Sequence, residues 1–297
     1  MSPSDRPERM LLRKACKDDD PTLLDEAISK TNKKDLNDFY KITCVNAVRN
    51  SAIAVLNNLI GRGVNVTPQR TSELKGASKE TLELLLEQGW DINRRGNASY
   101  DKEPFMWAVA HDYDLVKWCL EHGASVHPSG QKPFRDGVTT KSRRECPQIL
   151  ERVAAWGSIA MSELLRSKGA PAGWRSLHLA VETATFSYSD KQQDSIFYSE
   201  RMAMVRHLLD VVGLDINAPD QPPGSDVVSR HSGTPICYIP GSTMLVRDTR
   251  ELTWLLLDRG ADPTPALKIA KVEHLKFVED VEAWKGKQAR CSKCSVQ

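Results

Sequence analysis

No apolar run in this chain approaches the roughly 18 residues that a membrane-crossing helix requires. The first twenty residues, MSPSDRPERMLLRKACKDDD, carry charge where a secretory leader needs an apolar centre, so neither a spanning segment nor secretion is expected. An excess of one charge is missing too. With 41 basic and 39 acidic residues the formal net charge is +2, which gives no global pull toward nucleic acid. Charge recognition therefore has to come from local clusters. Cysteine is sparse: seven residues scattered at 16, 44, 119, 146, 237, 291 and 294 form an odd set that suits a reducing, cytoplasmic compartment better than a disulfide framework.

Catalytic signatures are absent as well. The chain has no G-x-S-x-G elbow, no phosphate-cradling glycine loop, no G-x-G-x-x-G opening a helix and no H-E-x-x-H pair, so neither enzyme activity nor a cofactor is expected. His122 and His127 could share a metal, but no carboxylate or cysteine spacing completes the set, and no metal is expected.

What is present is a recurring grammar. Six segments pair a leucine-rich stretch with a glycine and a short polar piece: 57–66, 82–93, 116–126, 162–170, 205–217 and 253–263. The glycines are Gly63, Gly89, Gly123, Gly169, Gly213 and Gly260. In VKWCLEHGASV the apolar residues Val116, Trp118, Cys119 and Leu120 cover one helical face, and Gly123 stands where a helix commonly ends in the left-handed conformation. A second, shorter helical signal precedes several of these stretches: EPFMWAVA (103–110), CPQILERVAA (146–155), GTPICYI (233–239) and SLHLAVE (176–182). Three of the four contain proline, which suits a first helical turn. The unit reads as turn, short helix, longer helix, glycine. In the run Asp18, Asp19 and Asp20, followed by Pro21, the sequence predicts an N-cap.

On these residues the chain resembles the ankyrin-repeat family, whose first helix carries T-P-L-H-x-A and whose second ends in a leucine run with G-A-D. GTPICYI with ELTWLLLDRGADP is the nearest likeness, and SLHLA at 176–180 adds the rest of the motif. The resemblance implies an all-α solenoid of about seven helix-pair units with capping helices and enlarged finger loops. It implies N-terminal capping helices over 1–39, repeats over 40–265, a C-terminal capping helix over 266–285 and a flexible tail over 286–297. His178 then matches the motif histidine that hydrogen-bonds between turns. The glycine intervals exceed the family's usual period of about 33 residues because of insertions. Segments 91–104, 127–145 and 217–233 fall on the finger-loop edge, and 183–202 is expected to lengthen a turn between two helices of one unit.

Loops held on a rigid scaffold are where binding concentrates. Two fingers bring together basic and aromatic residues, Arg94, Arg95, Tyr100 and Lys102 in one and Lys132, Phe134 and Arg135 in the other, and an acidic protein partner would suit them. No base-stacking sheet or recognition-helix motif accompanies the charge, so nucleic acid is not expected. Most of the seven tryptophans read as core, with Trp90 and Trp174 as the expected exposed anchors.

The segment KGKQARCSKCSVQ (285–297) is polar with no apolar period, and its last four residues, Cys294-Ser295-Val296-Gln297, fit a farnesylation pattern, with Cys291 as a palmitoylation candidate. Lys285, Lys287, Arg290 and Lys293 supply a basic approach, and the segment resembles the ends of lipidated small GTPases. One lipid chain holds a membrane only marginally, and a second chain or a basic patch makes the hold stable. The expectation is a protein-interaction scaffold that binds through finger loops and concave helices and is tethered to a cytoplasmic membrane face. The alternative is an enzyme or small-molecule binder with a pocket between the enlarged loops.

Overall fold

A computed structural model of the chain describes residues 6–68, 70–95, 103–127, 147–220, 233–240, 242, 247–270 and 274–294, with the side chains of 291–294 left out. Among the described residues there are fourteen α-helices and no β-strand. The chain divides into two compact units, Met1–Val109 with Asp114–Ser129, and Ala110–Tyr113 with Gly130–Gln297.

The first unit opens with helices α1 (Pro7–Asp18) and α2 (Pro21–Ser29), which pack on one another. The acidic run explains the tight join. Asp20 caps α2, its carboxylate accepting the N–H groups of Thr22 at 2.8 Å and Leu23 at 3.4 Å, as the sequence predicts. Asp19 adopts a left-handed φ of 50° and reaches further, accepting the N–H groups of Ala54 and Val55 at 3.0 Å each. It thus satisfies two orphan donors at the start of α4 (Ile53–Gly61). Helix α3 (Leu36–Asn50) begins inside the segment expected to be a cap. A 3-10 turn (Thr71–Leu74), α5 (Lys79–Glu87), α6 (Phe105–Ala108) and α7 (Tyr113–Glu121) follow. Leu12, Leu24, Leu56, Leu59, Leu82, Leu85 and Trp107 fill the core of this unit.

The second unit contains α8 (Ile149–Trp156), α9 (Ile159–Ser167), α10 (Ser176–Ala184), α11 (Lys191–Asp210), a 3-10 turn (Pro235–Tyr238), α12 (Arg250–Asp258), α13 (Thr264–Ile269) and α14 (Leu275–Cys294). Helix α10 packs on α8, α11 and the 3-10 turn, and α12 packs on α14. Asp280 of α14 is wholly buried, yet its carboxylate meets Arg250 Nε at 2.8 Å and Lys276 Nζ at 3.0 Å.

The loops after the glycines share one construction. Gly123 has φ of +86°, which a side chain would strain, and it lets Ala124 N–H turn back to Cys119 O at 2.9 Å, closing the end of α7. The same bond recurs from Val64 to Leu59, Trp90 to Leu85, Ala170 to Leu165 and Ala261 to Leu256. Two residues past the glycine, a short polar side chain accepts the N–H two positions on: Asn65 from Thr67, Asp91 from Asn93, Ser125 from His127, Asp215 from Asn217 and Asp262 from Thr264. At 171 a proline replaces it.

Two asparagines extend this into a ladder. Asn93 Nδ2 donates to Gly123 O at 3.0 Å and its Oδ1 accepts Ser125 N–H at 2.7 Å. Asn217 repeats both bonds one unit after its own glycine, to Gly260 O and from Asp262 N–H at 2.9 Å each. Each asparagine therefore ties its loop to the next one. Asn217→Ala leaves both backbone groups to water, and we expect a loss of about 1 kcal/mol in urea unfolding, with Asn217→Asp recovering the acceptor half only.

Three sequence expectations are corrected. Segment 183–202 is not an enlarged turn, because Asp190 caps a helix at Lys191, accepting Gln193 N–H at 2.7 Å, and most of the insertion becomes the first turns of α11. The segment from 286 is not a tail up to its cysteines, since α14 runs through Cys294. Good helix formers such as Lys285, Lys287, Gln288, Ala289 and Arg290 carry it without an apolar stripe. Trp90 is not an exposed anchor. It follows the left-handed Gly89, which turns its ring inward against Phe105 with centroids 5.6 Å apart and leaves it 7% exposed.

Candidate binding surfaces

In the first unit a groove of about 570 Å³ lies between α3 and the loop after α4. Tyr40, Val45 and Val48 of α3 and Val64 and Val66 of the loop line it, with Lys41, Arg62 and Glu73 among its polar residues. Cys44 also lines it, and burial pushes that thiol up to about 11, so it stays protonated and unreactive at neutral pH. Of the basic residues assigned to the first enlarged finger, Arg94 is exposed and Arg95 half-buried. They follow the Asp91 turn, where Arg94 N–H donates to Asp91 O at 3.0 Å. Arg94 borders a small cleft with Trp90 and Phe105. Tyr100, Lys102, Lys132, Phe134 and Arg135 lie outside the described residues. The structure places His122 on Trp118, rings stacked at 4.1 Å, with Nδ1 2.8 Å from Trp118 O. Among the described residues no group of three or more His, Cys, Asp or Glu is gathered to hold a metal ion.

The second unit holds a polar cluster around His178, the histidine of the SLHLA segment, whose other members no local motif announces. His178 is buried on α10, and its Nε2 lies 3.1 Å from both Ala218 O and Gly233 O. Two carbonyl acceptors require that nitrogen to carry the proton. Burial lowers the imidazole to about 4, so it is neutral at physiological pH, although Asp220 opposes the shift. Asp220 N–H donates to Gly233 O at 3.0 Å, and Tyr238 Oη donates to Asp220 Oδ2 at 2.6 Å. The guanidinium of Arg175 lies 5.8 Å from the centre of the Tyr238 ring. Glu151, buried in α8, accepts the N–H of Arg175 at 3.0 Å, and burial raises its pKa above the usual carboxylate range. A Cβ at position 173 would come within 2.1 Å of Glu151 Oε1, so only glycine permits this approach. Together these bonds pin both ends of the loop between 218 and 233 onto α10. Trp174, 37% exposed as expected of an anchor, borders a cleft of about 200 Å³ beside His178, Leu214 and Ala218.

A third surface surrounds the start of α11. Trp156, Phe186, Tyr188 and Phe197 form a chain of ring contacts: 5.8 Å from Trp156 to Phe186, 6.1 Å from Trp156 to Phe197 and 4.9 Å from Tyr188 to Phe197. Beneath them Arg201, 2% exposed, donates to Ala154 O at 3.2 Å, Ala155 O at 2.9 Å and Gly157 O at the end of α8. Its guanidinium also lies 5.5 Å from the Phe197 ring centre. Sequence reasoning missed this surface because 183–202 reads as a polar insertion. Its signal is the clustering of Phe186, Tyr188, Phe197 and Tyr198 in a chain otherwise poor in aromatics.

Cys291 and Cys294 fall in the last turns of α14, with their side chains outside the described residues. No described helix is long and apolar enough to cross a membrane. No protein-family model matches the chain, and no curated protein matches it.

Proposed function

We propose that the chain is a protein-interaction scaffold of the ankyrin type, binding an acidic partner protein along the glycine-turn loops and the helices beside them. The observation that carries the reading is the recurrent loop: a left-handed glycine, a closing bond that is i to i−5 after five of the six glycines and i to i−6 after Gly213, an Asx-like turn after five of them, and an asparagine passing two hydrogen bonds to the next loop at both Asn93 and Asn217. Such a scaffold loses little backbone entropy on binding and presents a preformed face. Arg94 and Arg95 are proposed as basic contacts in the first unit and Trp174 as an aromatic anchor in the second, and Tyr100, Lys102, Lys132, Phe134 and Arg135, outside the described residues, keep their proposed binding role from the sequence. The proposal keeps Cys294, with Cys291, as the lipid-carrying end that recruits the scaffold to a cytoplasmic membrane face.

A second reading is favoured by the α3 groove, whose volume falls within the range of small-molecule sites. One experiment separates the two. A photo-crosslinking residue at Lys41, which lines the groove, is compared in cells with one at Asn57 on the exposed side of α4. A discrete protein adduct at Lys41 and none at Asn57 supports the scaffold. Equal labelling at both positions sinks it, and a small molecule retained in native mass spectrometry with no adduct supports the second reading. In the same cells, intact mass beside Cys294→Ser tests the lipid: an unmodified wild-type C-terminus removes the tether from the proposal.

A further inference from the structure

Five of the glycine-terminated helices, α4, α5, α7, α9 and α12, are each nine residues long, whereas α11 is twenty. The surplus comes at its N-terminal end, where Asp190, Gln193, Phe197 and Glu200 recur at spacings of three, four and three on one side of the helix. With Tyr188, Gln192 and Ile196 they line a cleft of about 390 Å³. Its two rings, Tyr188 and Phe197, stand at 77° to one another and make two walls. Ile196, 55% exposed, supplies an apolar floor, and the carboxylates of Asp190 and Glu200 stand among the lining residues, which include no Lys or Arg.

Lys191 is exposed beside Asp190 but does not line the cleft, and two further cations of this region are held elsewhere. Arg201 is held by the carbonyls of α8, and Arg247 by Asp194 at 2.7 Å and by the Tyr198 ring at 3.8 Å. The cleft is therefore aromatic-walled and negative, with an aliphatic shelf. Those are the complements of a side chain with an apolar stem and a cationic head. We propose that this cleft binds a lysine- or arginine-bearing segment of a partner protein, the stem lying on Ile196 and the head against Tyr188, Phe197, Asp190 and Glu200. The proposal stands independently of the repeat reading and concerns a surface of opposite charge to the basic fingers.

The test is fluorescence anisotropy of the full chain with a labelled peptide alternating Lys and Gly, beside a Glu-Gly peptide, at fixed ionic strength. The Lys peptide is expected to bind with an affinity that Phe197→Leu lowers, whereas any binding of the Glu peptide, which the basic fingers would account for, should not respond to Phe197→Leu. Phe197→Leu should weaken binding about three- to fivefold by removing one wall while keeping apolar volume. Glu200→Gln, at an exposed position, should weaken it about two- to threefold, and Glu87→Gln, an equal charge change on α5, should leave it unaltered. Failure of the Lys peptide to bind, equal weakening by Glu87→Gln and Glu200→Gln, or no effect of Phe197→Leu would each overturn the proposal.

Discussion

Replacing Arg201 with methionine is expected to destabilise the second unit by about 4 kcal/mol, the largest single-residue effect argued for this chain. The guanidinium is 2% exposed and donates to three carbonyls, Ala154, Ala155 and Gly157. The last carbonyls of a helix have no partner within it, so those of α8 depend on this donor. Methionine matches much of the arginine's stem but supplies no N–H, leaving acceptors in a dry environment at about 1 to 3 kcal/mol each. Against that, the desolvation cost of the cation is relieved, which keeps the net below the simple sum. Arg201→Lys should recover less than half, because a single ammonium cannot span three carbonyls as a planar fork does. Chemical unfolding followed by circular dichroism reads both variants, and a loss under about 1 kcal/mol for Arg201→Met would mean that water replaces the guanidinium at little cost. The same contact has a functional side. Arg201 joins α8 to α11 directly under Phe197, so the aromatic cleft stands on this anchor.

The repeat loops were legible in the sequence because their physics is local. A glycine after a leucine-rich amphipathic stretch marks a helix end, and all six such glycines have φ between +74° and +89°. Asp20 as a cap was equally local. What the sequence concealed depends on distance along the chain. Asp19 caps a helix that starts at Ile53, and Glu151 accepts from Arg175, so no window of neighbouring residues contains both partners. Trp90 reads as exposed for a related reason: adjacency to a terminal glycine suggests exposure, but the left-handed turn itself redirects the next residue inward. The insertion at 183–202 and the C-terminal polar segment read as loop and tail in the sequence because they lack an apolar stripe. Helices of good formers need no such stripe when only part of their length is packed, as in α11, which Asp190 caps, and in α14. The paired carboxylates and rings of the α11 cleft become visible only once that helix is in place.

Acidification is expected to release Ala218 and Gly233 from α10, and His178 fixes where. Its imidazole falls from an ordinary 6.5 to about 4 in the folded protein, chiefly through burial. Between those values the unfolded chain binds a proton that the folded chain refuses, so stability is complete above about 6.5 and is lost as pH falls toward 4. A shift of that size corresponds to about 3 kcal/mol at full development. Glu151 acts in the opposite sense. Its raised pKa means that burial disfavours the ionised form, so its contribution to stability declines as pH rises above 4.5 and partly masks the histidine in the wild-type profile. The two are separated by difference. Subtracting the unfolding free energy of His178→Gln from that of the wild type across pH 4 to 7 should leave a rise with pH of about 3 kcal/mol, and Glu151→Gln should make the wild-type rise steeper. Because Nε2–H holds Ala218 O and Gly233 O together, hydrogen exchange at Asp220 N–H, which donates to Gly233 O, should accelerate at low pH beyond its intrinsic pH dependence. A flat difference profile would mean that His178 titrates near its ordinary value and that Ala218 and Gly233 are held without it.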